Sequence, residues 1–217
     1  MTSQGADVWT IVVAAGSGRR FGADKLSVAI DGDRTVLDVS VETALQASSG
    51  VVVVLRADDP LLHAPPAEGL TFVAGGDSRS ESARNGLAVV PETADVILIH
   101  DAARPLAGLD VYERVISAVR GGAAAVVPAV PVVDTIRTTE GDVVDRDRLR
   151  AVQTPQGFAA GPLREAHARG GDATDDAALV AALGHDVVVV DGDLRSLKVT
   201  RPVDIAFVRA LLEDPEA

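Results

Sequence analysis

Residues 8–25 read VWTIVVAAGSGRRFGADK, and they carry the strongest indication of the fold class. From Val8 to Ala15 it is apolar apart from one threonine, which is typical of a strand covered on both faces in a parallel sheet. The run stops at a glycine turn, after which two arginines and Lys25 follow closely. Glycines let backbone N–H groups approach an oxyanion, and the cations supply countercharge. The stretch therefore predicts an anion site at the carboxyl end of a buried strand.

Two common glycine-loop patterns do not fit this turn. The dinucleotide fingerprint needs its third glycine where Phe21 stands, and the glycine comes one position late. The P-loop pattern needs Gly-Lys-Ser/Thr, whereas Lys25 follows Asp24 and precedes Leu26. The turn alone therefore leaves the ligand open, and a purely structural turn remains an alternative.

Composition limits the class of protein. The chain has 217 residues, of which 47% are hydrophobic, and this predicts one α/β domain with an ample core. It has no cysteine, which excludes thiol catalysis and cysteine-ligated metals. A net charge of −12 argues against binding nucleic acid or an anionic membrane, although local cations can still attract a phosphorylated small molecule. Neither a signal peptide nor an apolar run of spanning length is visible, so we expect a soluble cytoplasmic protein.

Short apolar runs alternate with helical patterns along the chain. Strands are predicted at residues 51–55, 71–74, 95–100, 123–130 and 187–190, and helices at 35–50, 78–90, 109–119, 162–169, 175–183 and from 202. This alternation predicts an α/β fold with a doubly wound, mostly parallel sheet. Ligands bind such sheets beyond the carboxyl ends of the strands. The polar clusters at 16–25, 75–82 and 101–105 should therefore converge there.

One region breaks this rhythm. Residues 128–156 contain two β-like pieces around Glu140-Gly141-Asp142 with no helix between them, which predicts a hairpin. We expect it to project from the sheet as an arm at about residues 131–153. A projecting apolar hairpin needs a surface to pack on, so the arm predicts a homodimer.

Seven motifs occur in the order AAGSGRR, GGDSRSES, HDAARP, DTI, QTPQGF, TDDA and LKVTRP. With them the chain resembles the 2-C-methyl-D-erythritol 4-phosphate cytidylyltransferases of the sugar-nucleotidyltransferase superfamily. The resemblance implies a Rossmann-like nucleotidyltransferase fold and a homodimer. It also implies transfer of the cytidylyl group of CTP to a sugar-alcohol phosphate, 2-C-methyl-D-erythritol 4-phosphate, in non-mevalonate isoprenoid synthesis. Pyrophosphate would be released, and Mg²⁺ would bridge the triphosphate oxygens.

The resemblance also implies roles for individual residues. Three basic residues would stabilise the reacting phosphorus: Arg20, Lys25 and Lys198. The nucleotide would be held by Ala14, Ala15, Gly16, Gly18, Gly76, Asp77, Ser82, Asp101 and Ala102. The acceptor would be held by Asp101, Arg104, Thr135, Arg146, Thr154 and Thr174, with Thr135 and Arg146 reaching the other subunit's site from the arm. Asp101 is also the candidate metal ligand.

Alternatives remain at this stage. Asp24-Lys25-Leu26-Ser27 departs from the loop usual in this family, and Phe21-Gly22-Ala23-Asp24-Lys25-Leu26 resembles the loop of molybdenum-cofactor nucleotidyltransferases instead. The same chemistry on another acceptor, such as ribitol 5-phosphate or a molybdopterin, is therefore an alternative, and Asp24 could pair with the lysine. A catalytically silent nucleotide-binding module is another interpretation, which the joint presence of Arg20, Lys25, Asp101 and Lys198 disfavours. Asp175 and Asp176 stand at a predicted helix start, where capping is the expected role.

Overall fold

The computed structural model describes residues 7–16, 21, 24–65 and 67–214. The strands in these ranges are β1 (Val8–Val13), β2 (Ala29–Asp31), β3 (Arg34–Thr35), β4 (Gly50–Leu55), β5 (Leu70–Ala74), β6 (Val96–Asp101), β7 (Ala125–Pro131), β8 (Ile136–Arg137), β9 (Val143–Val144), β10 (Arg150–Val152), β11 (Gln156–Ala159) and β12 (Val187–Asp191). The helices are α1 (Val36–Ala47), α2 (Arg79–Leu87), α3 (Leu109–Arg120), α4 (Ala160–Ala168), α5 (Asp176–Ala181) and α6 (Pro202–Glu213).

The central strand of the main sheet is β1. It pairs in parallel with β4 on one side and β6 on the other, and β5 extends the sheet beyond β4. On the other side of β6 lies the antiparallel β11, followed by β7 and the parallel edge strand β12. The predicted doubly wound, mostly parallel sheet is confirmed. The antiparallel insertion of β11 between β6 and β7 was not predicted.

The apolar runs are continuous because both faces of the sheet are covered. Val12 packs into a cluster on the face that carries α1 and α3, while its neighbour Ile11 packs on the opposite face, under α2. Both side chains are fully buried. Alternate residues of one strand thus stabilise opposite layers, each contributing about 1.5–3 kcal/mol of transfer free energy.

Helix α1 is shorter than the sequence predicts. It begins with a capping box between Thr35 and Asp38 and ends at Ala47. Gly50, expected to end the helix, instead begins β4, where a Cβ atom would stand only 2.4 Å from the indole of Trp9. Here the glycine makes room for the neighbouring strand.

The hairpin around Glu140-Gly141-Asp142 is present. Strands β8 and β9 pair antiparallel, and Gly141 turns the chain with a φ of +102°. The projecting part is shorter than residues 131–153, however, because β10 pairs with the end of β7 in the main sheet. Val133 and Val143 on the arm are 73% and 63% exposed, and dimerisation through this surface stays a prediction.

A small hairpin formed by β2 and β3 lies between the glycine turn and α1. It turns at Gly32, whose φ is +56°. The Asp31-Gly32 pair is a known hairpin signal that could have predicted it. None of the described helices is long and apolar enough to cross a membrane.

Candidate active site

A cavity of about 520 Å³ lies where β1 and β6 end, beside the loop after β5. Its wall is formed by Val13, Ala14, Ala15, Gly16, Lys25, Leu26, Gly76, Asp77, Ser78, Arg79, Ser82, Asp101, Ala103 and Lys198. The three polar clusters predicted to converge at the carboxyl edge of the sheet therefore do so. Lys198 joins them from the segment that precedes α6.

The turn after β1 is packed closely against the turn after β5. Gly75 donates its N–H to the carbonyl of Leu55 at 2.7 Å, and Ala14 donates to Val54 at 2.8 Å. A Cβ atom on Gly75 would stand 2.5 Å from the Cβ of Ala15. This glycine is thus required for the two turns to form one wall. The predicted nucleotide residues of both turns, Ala14, Ala15, Gly16, Gly76, Asp77 and Ser82, all line the cavity where they are described.

The first turn of α2 also faces the cavity. Ser78 caps the helix by accepting a hydrogen bond from the N–H of Glu81 at 3.1 Å. The Ser82 hydroxyl accepts from the N–H of Gly76 at 3.1 Å, which fixes the preceding loop onto the helix. The positive end of a helix dipole therefore points toward the cavity, an arrangement that favours a bound anion.

The chain contains only two lysines, and both line this cavity. The Nζ of Lys25 donates to the carbonyl of Val199 at 2.7 Å. The neighbouring Lys198 donates from its Nζ to Oδ2 of Asp101 at 2.6 Å. Side chains from opposite ends of the polypeptide thus face one space, as the predicted chemistry requires.

An apolar cluster explains why these distant segments meet. Ile30 and Val36, which follow Lys25, are buried against Val199, Ile205 and Val208 near the end of the chain. Leu26 and Leu197, each adjacent to a cavity lysine, pack against the same cluster. Burial of this surface holds both lysine-bearing segments together before any ligand binds.

Asp101 carries the negative charge at the centre of the site. Burial acts to raise its pKa, but the cations of Lys198 and Arg79 outweigh that effect and lower the pKa of Asp101 to about 2. Asp101 is therefore a carboxylate at neutral pH. Its Oδ1 lies 3.6 Å from Nε of Arg79.

Arg79 and Asp176 are site residues that sequence reasoning missed. Nη1 of Arg79 lies 2.6 Å from Oδ2 of Asp176, a side chain with no exposed surface. Burial acts to lower the pKa of Arg79, yet Asp176 and Asp101 hold it above its usual value. Capping is confirmed for Asp175, which accepts from the N–H of Ala178, but Asp176 forms this buried ion pair instead. A sequence signal for Arg79 was present, since Arg79 lies inside the motif GGDSRSES.

Three predicted ligand residues are not among those that line this cavity. Arg104 donates to the carbonyls of Ser196 at 2.6 Å and Val152 at 3.3 Å, and its burial lowers its pKa. Thr154 is 5% exposed and bonds both the Asp101 N–H and a ring nitrogen of His100. Ala102 is fully buried and donates its N–H to Val13. These bonds support the cavity wall, and the predicted ligand contacts of the three residues stay predictions.

The remaining predicted acceptor residues are exposed and separate from the described cavity wall. Thr135 and Arg146 lie on the arm, where Arg146 donates to the carbonyl of Val133, and Thr174 precedes α5. Gly18 and Arg20 lie outside the described residues, so their predicted contacts stay predictions. Asp24 accepts from the N–H of Leu26 at 3.1 Å and lies 3.8 Å from Arg56.

The described residues fit a metal that arrives with phosphate. Among them, no group of three or more His, Asp or Glu side chains could hold a metal ion. Mg²⁺, however, usually takes one or two carboxylates together with substrate phosphates and water. Asp101 and Asp77 place two carboxylates on the cavity wall, which is sufficient for that mode.

Comparisons with known proteins agree on one family. The family model described as IspD, 2-C-methyl-D-erythritol 4-phosphate cytidylyltransferase, matches residues 8–214. The enzyme of that name from Streptomyces avermitilis is 42% identical, with 96% of this chain and 92% of the relative covered. The one from Rhodococcus jostii is also 42% identical, with 95% and 96% covered. The crystal structure of the Thermus thermophilus enzyme superposes with a TM-score of 0.82 at 34% identity and covers 95% of this chain and 99% of its own.

Proposed function

This chain belongs to the 2-C-methyl-D-erythritol 4-phosphate cytidylyltransferase family, and we propose that its cavity transfers the cytidylyl group of CTP to 2-C-methyl-D-erythritol 4-phosphate. The products are 4-CDP-2-C-methyl-D-erythritol and pyrophosphate. An acceptor phosphate oxygen forms the new bond to the α-phosphorus of CTP, and the bond to the departing pyrophosphate breaks. Placing two polyanions in line is the main catalytic task, and it requires no protein nucleophile.

The observation that carries this proposal is the meeting of Lys25 and Lys198 on one cavity. Both amines are held by acceptors, the Val199 carbonyl and the Asp101 carboxylate, before substrate arrives. Preoriented cations stabilise the charge that develops on phosphoryl oxygens without reorganising during the reaction. We assign Lys25 to the triphosphate and Lys198 to the α-phosphate, with Arg20 as a third cation.

The nucleotide is proposed to bind against the two packed turns. The backbone of Ala14, Ala15 and Gly16 faces the cavity beside Gly76 and Ser82. Backbone carbonyls can accept hydrogen bonds from the exocyclic amine of cytosine, which uracil lacks, without adding a charge. Selection of CTP over UTP is the expected consequence.

Mg²⁺ is proposed to enter with CTP and to neutralise charge on its phosphates. Asp101 is the proposed protein ligand, with Asp77 beside it on the wall. Because Asp101 already pairs with Lys198, its carboxylate serves both to orient the amine and to receive the metal's charge.

The acceptor is proposed to bind beside Asp101, with Thr174 and the arm residues Thr135 and Arg146 completing its site across a homodimer. The apolar exposure of the arm at Val133 and Val143 supports such an interface. Arg104 and Thr154 then contribute by holding the wall, through their bonds to Ser196 and Asp101.

Pyrophosphate release, measured with a matrix of nucleotides and acceptors with and without Mg²⁺, tests this function. Strong turnover is expected with CTP and 2-C-methyl-D-erythritol 4-phosphate. Lys25→Ala and Lys198→Ala should each reduce the rate at least about 100-fold. The matched control is Arg169→Ala, which removes an exposed cation that pairs with Glu165 of α4, and its rate should equal that of wild type. Preferential turnover of ribitol 5-phosphate or a molybdopterin would contradict the assigned acceptor.

The shortage of lysines allows a second test. An amine-directed reagent can modify only Lys25, Lys198 and the chain's terminal amine. We expect modification to abolish turnover and CTP to protect against it. Full activity after both lysines are modified would remove them from the mechanism.

A further inference from the structure

We propose that Asp176 is a positioning residue for the Lys198 amine and acts through Arg79 and Asp101. The proposal rests on the proposed function, because it assigns a purpose to the placement of Lys198. Asp176 is not among the residues that line the cavity, whereas Arg79, Asp101 and Lys198 are. Its influence on Lys198 must therefore pass through the two residues between them.

Four groups of alternating charge form a continuous row that runs from Asp176, outside the cavity lining, to Lys198 on it. Asp176 Oδ2 lies 2.6 Å from Arg79 Nη1, and Arg79 Nε lies 3.6 Å from Asp101 Oδ1. Asp101 Oδ2 in turn lies 2.6 Å from Lys198 Nζ. The four residues come from α5, α2, the end of β6 and the segment before α6. The row therefore joins four separate parts of the fold at one point.

The burial of Asp176 requires an explanation that helix capping does not supply. Its side chain has no exposed surface, and a buried carboxylate is costly unless it is paired. The cap of α5 is already provided by Asp175. The other close ionisable neighbour is His167, whose Nε2 lies 3.2 Å from Oδ1 of Asp176. Arg79 is the permanent cation in this pocket, so pairing with Arg79 accounts for the position of Asp176.

The two distances from Arg79 to its carboxylate neighbours indicate how pairing with Asp176 affects Asp101. Arg79 is engaged closely by Asp176 and only loosely by Asp101, at 2.6 and 3.6 Å. Asp101 therefore keeps an oxygen available for Lys198. Without the charge of Asp176, Asp101 would be the nearest carboxylate to Arg79 and would be drawn toward it. Arg79 would then compete with Lys198 for the same carboxylate, and the amine would lose its fixed position.

The loop before α5 has other anchors, so the charge can be removed without releasing the loop. Asp172 accepts from the Ser78 hydroxyl at 2.6 Å, and the N–H of Ala173 donates to Ser80 at 3.2 Å. Arg84 donates to the carbonyl of Gly171 at 2.9 Å. The variant Asp176→Asn, which has nearly the same shape, should therefore fold and isolate the electrostatic effect.

The first test is a double-mutant cycle on kcat. Asp176→Asn should lower kcat about tenfold in the wild-type background and change it less than about twofold in a Lys198→Ala background. A role confined to folding would give the same change in both backgrounds. The matched control is Asp175→Asn, which removes a neighbouring charge bonded to Ala178 and Gln156, and its kcat should stay within about twofold of wild type.

The second test needs no turnover. Reductive methylation with isotope-labelled formaldehyde gives NMR signals for Lys25, Lys198 and the terminal amine, since the chain has no other lysine. Asp176→Asn should shift the Lys198 signal and leave that of Lys25 in place, whereas Asp175→Asn should move neither. Should Asp176→Asn fail to fold, the double variant Arg79→Met/Asp176→Asn removes the competing cation together with the charge of Asp176. Asp101 then stays free for Lys198, so the Lys198 signal of the double variant should keep its wild-type position.

Equal losses of kcat in both backgrounds, an unmoved Lys198 signal in Asp176→Asn, or a displaced Lys198 signal in the double variant would each overturn the proposal. These outcomes differ from failure of the proposed function, which would appear as absent wild-type turnover with CTP and 2-C-methyl-D-erythritol 4-phosphate. The NMR result does not depend on the identity of the acceptor.

Discussion

Replacing Thr154 by valine distinguishes a structural role of this buried threonine from a direct contact with the acceptor. The Thr154 hydroxyl accepts a hydrogen bond from the Asp101 N–H at 3.0 Å and lies 3.1 Å from Nδ1 of His100. The hydroxyl can therefore donate its own proton to the neutral His100 ring, because burial lowers the pKa of His100 to about 4. Valine keeps the shape of the side chain and removes both interactions.

The expected cost follows from these contacts. A buried polar group left without a partner costs about 1–3 kcal/mol, and the substitution leaves two such groups. We expect the free energy of unfolding to fall by about 3 kcal/mol. For a chain of this size that corresponds to a decrease in Tm of roughly 6–12 °C.

Urea unfolding followed by circular dichroism measures this loss, and steady-state kinetics measure KM for the acceptor. The matched control is Thr174→Val, since Thr174 is exposed and its loss should change stability by less than about 0.5 kcal/mol. If Thr174 contacts the acceptor as proposed, its variant should raise KM instead. Wild-type stability in Thr154→Val together with a large increase in acceptor KM would refute the supporting role given to Thr154.

Three further predictions follow from the same region and from the arm. The pKa of His100 is lower in the folded chain than its ordinary value of 6.5, so the unfolded state binds more protons between about pH 6.5 and 4. Urea unfolding should therefore show the free energy of unfolding falling by up to about 3 kcal/mol as the pH drops through this window. His100→Asn should remove this pH dependence. In Gly75→Ala, the added Cβ would stand 2.5 Å from that of Ala15, and KM for CTP should rise about tenfold; an unchanged KM would show that the turns can separate without harm. Val143→Asp places a charge on the apolar arm, and sedimentation velocity should show loss of the dimer, whereas an unchanged dimer would exclude this arm surface.

The sheet could be predicted because its physical cause is visible in single segments. Apolar runs such as Val51–Leu55 are buried on both faces, and burial of that kind leaves an uninterrupted pattern in the sequence. The antiparallel β11 was not predictable, because Gln156 and Gly157 carry no strand signal of their own. Gly157 is accommodated in the sheet where a Cβ would stand 2.3 Å from Val115 of α3, a contact that only the tertiary structure reveals.

The candidate site was predictable in its location and less so in its internal pairing. Residue type and motif indicated Lys25, Asp101 and Lys198, and all three line one cavity. The ion pair between Arg79 and Asp176 joins α2 to α5, so no local sequence pattern could predict it. Asp176 also follows a genuine helix cap, and its position in the sequence favoured a second capping role over an ion pair.

HDAARP and LKVTRP form one structural unit, in addition to the ligand roles proposed for Asp101 and Lys198. The Ala103 carbonyl accepts from the N–H of Val199 at 2.8 Å, and Arg104 donates to the Ser196 carbonyl at 2.6 Å. These bonds fix the backbone on either side of Lys198, while Asp101 fixes its amine. Val199, whose N–H is bonded to the Ala103 carbonyl, provides the carbonyl that accepts from Lys25. Each motif thus positions the other, and the contact of Arg104 with Ser196 helps to fix the segment that carries Lys198. A change at Arg104 should therefore affect kcat through Lys198 as well as any acceptor contact, and a substitution that altered acceptor KM alone would contradict this coupling.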